Sequence, residues 1–146
     1  MKGLIQRVSS ARVCVANEVV GRIGFGTLLF VGFERGDSAL KLAPFLEKIL
    51  RYRIFCDSKG LMNRSLLDIS GDLLIVSQFT LASNTKKGLR PSLSSGLLGE
   101  DAKFLYDELV KQARTKFDIR VEAGKFGSDM EVTLTNVGPV TFMLEI

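Results

Sequence analysis

Histidine is absent from this chain. That removes Ser-His and Cys-His nucleophilic sites, in which an imidazole takes the proton from the attacking group. It also removes His-containing zinc sites, and Cys14 and Cys56 are too few for a four-thiolate site. No metal or other cofactor is expected. The two cysteines form no disulfide framework. Each sits in an apolar, strand-like stretch, so buried free thiols in a reducing cytoplasm are expected. No apolar run approaches the length of a membrane span. Gln6 and Arg7 interrupt the start of the chain before a secretory apolar region can form. A cytoplasmic protein with no membrane partner is the expectation. Any chemistry must use hydroxyls, backbone amides, carboxylates, lysines or groups on the substrate itself.

What is present suffices for one domain with a real core. The chain has 146 residues, of which 46% are hydrophobic and 25% charged. Its net charge of +4 mildly favours an anionic partner such as nucleic acid. Residues 3–8 and 12–16 read as strands, and 16–18 as a hairpin turn into 19–23. Residues 27–33 (TLLFVGF) read as a buried strand. In residues 38–52, Leu42, Phe45, Leu46, Ile49 and Leu50 recur at helical spacing, with Pro44 predicting a kink or a start near Ala43. Residues 53–56 read as a short strand. Residues 101–117 carry the clearest helical pattern, with Lys103, Asp107, Lys111 and Arg114 on a solvated face. Residues 119–123, 130–135 and 142–146 read as strands. The predicted fold is α+β: a single domain, residues 1–146, of mainly antiparallel strands in a barrel-like or two-sheet arrangement with two main helices outside.

The most informative stretch is 72–81, DLLIVSQFTL. Leu73, Leu74, Ile75 and Val76 predict a buried strand. It ends in Ser77, Gln78, Phe79 and Thr80, which puts two hydroxyls, an amide and an aromatic where a core strand reaches the surface. Such an end can hold a site rigidly, or it can simply enter a turn. The following residues, 82–99, form a long loop rich in Ser, Gly, Lys and Arg. Lys86, Lys87 and Arg90 either face phosphates or are merely solvated. Near the end, Gly138-Pro139 reads on its own as a β-turn between two strands.

Ser77-Gln78-Phe79-Thr80-Leu81 and Asn136-Val137-Gly138-Pro139-Val140-Thr141 occur together, with Lys87-Gly88-Leu89-Arg90-Pro91-Ser92 between them. With Leu4-Ile5-Gln6-Arg7-Val8, Arg53-Ile54-Phe55 and Met62-Asn63, they make the whole chain resemble the D-aminoacyl-tRNA deacylase family. The chain departs from the family pattern at Val137, at Ser83-Asn84 and at Leu93. The resemblance implies a cytoplasmic homodimer with a proofreading role in translation. It would hydrolyse the ester between a D-amino acid and the 3′-terminal adenosine of tRNA, and would also remove glycine from mischarged tRNA. The resemblance places Ser77, Gln78, Phe79 and Thr80 in the catalytic pocket. It implies a cis Gly138-Pro139 element that enters the partner subunit's pocket, with Arg7 helping to hold it. Asn136, Thr141, Met130, Lys87 and Arg90 are the further substrate-side candidates.

An aminoacyl ester is already activated, so the expected chemistry needs no strong protein nucleophile. The adenosine 2′-OH would assist water. Backbone N–H groups near Phe79 and Thr80 would stabilise the oxyanion. Gln78 would orient substrate or water. Thr80 as a covalent nucleophile is the sharper alternative, and no base beside it is visible in the sequence. The rival classes are a non-catalytic tRNA- or RNA-binding module, a generic esterase and a structural dimer. The esterase lacks support from any G-x-S-x-G elbow.

Overall fold

The structure, a computed structural model, describes residues 1–86 and 88–146. Its spine is β1 (Lys2–Val15), which joins the two expected strands 3–8 and 12–16 into one. β1 can be this long because it pairs along both edges. On one edge, its first half pairs antiparallel with β3 (Gly26–Gly32) and its second half with β2 (Glu18–Ile23). On the other edge, β8 (Glu131–Glu145) runs antiparallel along nearly its whole length. Ala16 and Asn17, with φ of 49° and 65°, turn the β1–β2 hairpin in the two-residue geometry that suits strand twist.

The remaining pairings are parallel. β3 pairs with β6 (Asp72–Ser77), and β6 with β7 (Val121–Ala123). Parallel neighbours need long crossovers. One crossover carries α1 (Leu42–Arg51) and the ribbon of β4 (Phe55–Cys56) and β5 (Met62–Arg64); the other carries the 82–98 loop and α2 (Gly99–Lys116). The predicted arrangement is mainly antiparallel, and these two parallel pairs are its exceptions. β7 comes back beside β2, where Ala123 O lies 3.0 Å from the position a Cβ on Gly21 would take, so the sheet nearly closes.

The middle of β6, Leu73 to Val76, is wholly apolar, as suits a strand buried on both faces. Leu73 and Ile75 join a core under the helices with Phe45, Leu46, Leu105 and Leu109. Leu74 and Val76 join a second core inside the curved sheet with Val8, Val13, Ile23 and Leu28. Phe30, Met130, Val132 and Leu134 lie half-buried against this second core. Pro44 is the third residue of α1. In the first turn the N–H that proline lacks would have no intrahelical acceptor, so the helix accommodates it without a break.

Two expectations need correction. Both cysteines are free, but Cys56 is exposed and Cys14 only half-buried; Cys56 stands in a two-stranded ribbon that does not pair with the main sheet. Gly138-Pro139 is also no turn between two strands. β8 is continuous, with Asn136 opposite Val8 and Thr141 opposite Gln6. Residues 137–140 therefore bulge out where β1 has only Arg7.

Candidate active site

A cleft of about 420 Å³ opens where β3 and β6 end. Val31, Gly32 and Phe33 form one wall with Val76, Ser77, Gln78 and Phe79. Leu98, Gly99 and Ala102 at the start of α2 form a second. Phe126 to Met130, on the connection from β7 to β8, form a third. Among the described residues the lining holds one carboxylate, Asp129, and no lysine or arginine.

The polar end of β6 is locked from both sides. Ser77 is its last residue, opposite Val31, and Gln78 N–H donates to Val31 O at 2.7 Å. The chain then tightens into a 3₁₀ turn, Phe79–Ala82, closed by Leu81 N–H to Gln78 O at 3.2 Å. Gly32 is required beneath it, because a Cβ there would stand 2.8 Å from Gln78 O and 3.0 Å from Leu81 Cβ. Gln78 Nε2 donates to Thr80 Oγ1 at 2.6 Å, which spends that amide donor on the hydroxyl beside it. The N–H groups of Phe79 and Thr80 open the turn and have no partner among the described residues. A short helical turn leaves such leading donors unpaired. Phe79 is half-exposed at the cleft mouth, and Thr80 is exposed and outside the lining.

The second predicted cluster forms a separate unit. Arg7 is buried and spans three segments: Nε donates to Val137 O at 3.1 Å, Nη1 donates to Ile54 O at 2.6 Å, and Nη1 also lies 3.8 Å from Cys56 Sγ. The Gly138–Pro139 peptide bond is cis, and Gly138 has φ +125°. A Cβ on Gly138 would stand 2.7 Å from Val140 Cγ2 and 2.9 Å from Arg7 Nη2. Asn136 closes the bulge, with Oδ1 accepting from Val140 N–H at 3.0 Å and Nδ2 donating to Thr141 Oγ1 at 3.3 Å. Gln6 Nε2 donates to the same hydroxyl at 3.2 Å. Gly138 and Pro139 are exposed and take no part in lining the chain's own cleft.

Of the predicted site residues, Ser77, Gln78, Phe79 and Met130 come together at the cleft, with Thr80 bonded to Gln78. Arg7, Asn136, Gly138, Pro139 and Thr141 come together at the bulge. Arg90 is exposed on the 82–98 loop and joins neither group, and Lys87 lies outside the described residues. Sequence reasoning missed Phe126, Leu98 and Tyr106. Tyr106 is the hidden support of the site. Its hydroxyl lies 2.9 Å from Ile75 O and 3.0 Å from Gly124 O, and its ring packs 5.6 Å from Phe126. Burial, followed by the nearby Asp107 carboxylate, raises its pKa well above the usual phenol range. In the sequence Tyr106 is only one more apolar-face residue of α2.

Fold and cleft together define a class: a nearly closed β-barrel with two covering helices, a polar turn at the mouth of a cleft and a cis Gly-Pro bulge. Residues 4–145 match the family model described as D-Tyr-tRNA(Tyr) deacylase, and the chain belongs to that family. It is 54% identical to a D-aminoacyl-tRNA deacylase of Stutzerimonas stutzeri, over 99% of both chains. It is 52% identical to a D-aminoacyl-tRNA deacylase of Pseudoalteromonas translucida, over 100% of both. A solved c-Myc DNA Unwinding Element Binding Protein has a TM-score of 0.95 at 35% identity, covering 100% of this chain and 99% of its own. A probable eukaryotic D-amino acid tRNA deacylase shares the fold at a TM-score of 0.86 and 20% identity, covering 99% of this chain and 98% of its own.

Proposed function

We propose that this chain hydrolyses the ester joining a D-amino acid to the 3′-terminal adenosine of tRNA and spares the L ester. The family match over residues 4–145, with the family's Ser-Gln-Phe-Thr run at the cleft, carries the reading. Water attacks the ester carbonyl, and the free N–H groups of Phe79 and Thr80 receive the developing negative charge on its oxygen. The adenosine 2′-OH, next to the ester, assists the proton transfers as the 3′-oxygen leaves. This division of labour fits a chain without histidine. It also fits a Thr80 hydroxyl whose nearest side-chain partner is an amide rather than a base.

Chirality is set by exclusion. The outward-facing Gly138-Pro139 bulge of one chain enters the cleft of a second copy, which makes the working unit a homodimer. Its backbone carbonyls crowd the α-carbon on the side where an L side chain would lie. A D side chain points out of the cleft, and glycine passes because it has nothing to clash. The bulge's exposure, together with its absence from its own cleft, supports this exchange.

A second reading, a nucleic-acid-binding module without turnover, is favoured by one observation, the name of the 35%-identical c-Myc DNA Unwinding Element Binding Protein. Separate incubations with D-Tyr-tRNA and L-Tyr-tRNA distinguish the two. Release of D-tyrosine alone supports the deacylase. Retention of both esters, with the RNA bound, supports the module.

A further inference from the structure

Among the described residues the cleft gives a polyanion little to hold, since no lysine or arginine of theirs lines it. Grip on an RNA backbone is electrostatic and comes from lysine and arginine on phosphates. A second groove, of about 470 Å³, supplies them. Lys111, Arg114 and Lys125 line it beside Asp107, over a floor of Tyr106 and Val110.

The two hollows share their framework. The connection from β7 to β8 walls the groove with Gly124 and Lys125 and the cleft with Phe126 to Met130. α2 lines the cleft with Ala102 and the groove with Lys111 and Arg114. Ala102 and Lys111 lie nine helical positions apart, about 14 Å at the usual rise, which a few nucleotides of single strand can span.

The groove's cations are available. Asp107 is already engaged by Lys103 at 2.6 Å. Lys111 is highly exposed and only loosely paired with Glu108 at 3.4 Å. Arg114 spends Nε on Val121 O at 3.2 Å. Neither Arg114 nor Lys125 has a carboxylate within 4.0 Å among the described residues.

We propose that this groove carries the phosphate backbone of the nucleotides leading to the terminal adenosine in the cleft. The proposal rests on the D-aminoacyl-tRNA reading of that cleft. Lys111 and Lys125 hold phosphates without reading sequence, and the cleft supplies the chemistry.

The test compares the wild type with the Lys111→Glu/Lys125→Glu double variant and with its Lys→Gln counterpart. Both positions are exposed, and thermal melts report whether the fold is kept. Three quantities are read: affinity for uncharged tRNA across a salt series, KM and kcat on D-Tyr-tRNA, and hydrolysis of the D-tyrosyl ester of adenosine alone. In the Glu variant, tRNA affinity should fall roughly tenfold and the log–log salt slope should become shallower by about 1.5, for two lost phosphate contacts. The Gln variant should show a smaller loss in the same direction. KM on D-Tyr-tRNA should rise with kcat held, and the adenosine ester should be cleaved as before. Unchanged tRNA affinity and salt slope would overturn the proposal, as would an equal loss on the adenosine ester. Failure of the deacylase reading looks different: the wild type cleaves neither ester, while the tRNA-binding comparison still decides on the groove.

Discussion

In the proposed mechanism, chirality turns on Gly138. Its φ of +125° suits glycine, and a Cβ would meet both Val140 and Arg7. Gly138→Ala should shift the bulge and lower the ratio of D- to L-ester hydrolysis by at least about tenfold, the effect of losing a steric barrier of a few kcal/mol. An unchanged ratio in paired rate measurements would contradict the exclusion mechanism. In the same mechanism the Thr80 hydroxyl accepts from Gln78 and does not attack, so Thr80→Ala should lower kcat only a few-fold; a covalent nucleophile would cost orders of magnitude. Thr80 drew notice in the sequence as part of the polar end of a four-residue apolar run, but its role and that of Gly138 came from the family resemblance, since Gly138-Pro139 alone reads as a turn. Arg90 was not separable from an ordinary solvated arginine, since its type and its loop are the same in either case. Phe126 and Leu98 were also unreadable, because crossovers of tens of residues bring them to the cleft.

Among the elements, α2 does more than cover the sheet. Tyr106 ties it to the end of β6 at Ile75 and to the connection at Gly124. Tyr106→Phe leaves those buried carbonyls without the hydroxyl and should cost about 1–3 kcal/mol of stability, read from denaturant unfolding. Burial raises the Tyr106 pKa above its ordinary 10.0. A group raised in the folded state stabilises fully below its unfolded pKa, and this stability is lost as pH rises beyond it. The wild type should therefore lose stability above about pH 10 more steeply than Tyr106→Phe. Helical spacing made α2 legible, whereas its buried hydroxyl was hidden by its place on an apolar face. The parallel partners of β6 were hidden for a related reason: an all-apolar strand reports burial on both faces but not the direction of its neighbours. The 137–140 bulge depends on how many β1 residues stand opposite it, which β8 alone does not record.

For the whole molecule, acid stability depends on held carboxylates. Burial alone would raise Asp37, but hydrogen bonds from the Met1 amine, the Glu34 N–H and Lys41 outweigh it and keep Asp37 below its ordinary 3.8. Asn63 and the Leu61 and Lys59 N–H groups lower Asp57, and the Ser65 N–H and hydroxyl lower Asp68. The unfolded chain then binds protons more readily than the folded one. Stability should be fully present above about pH 5 and fall as pH drops through 4 and below, as melting temperatures across that range would reveal. On the proposed exchange the working unit is two chains, since Gly138 and Pro139 do not line their own chain's cleft. Mixing a Gly138→Ala chain with a Ser77→Ala/Gln78→Ala chain, after subunit exchange, should recover D-specific activity that neither has alone. A D- to L-ester ratio no higher than that of Gly138→Ala alone, with mixed dimers present, would contradict a shared site. The most direct measurement is the release of tyrosine from D-Tyr-tRNA and L-Tyr-tRNA by the purified protein. Rapid loss of the D ester with the L ester spared is the expected result. Equal loss of both would contradict chiral exclusion by Gly138-Pro139, and loss of neither would contradict the deacylase itself.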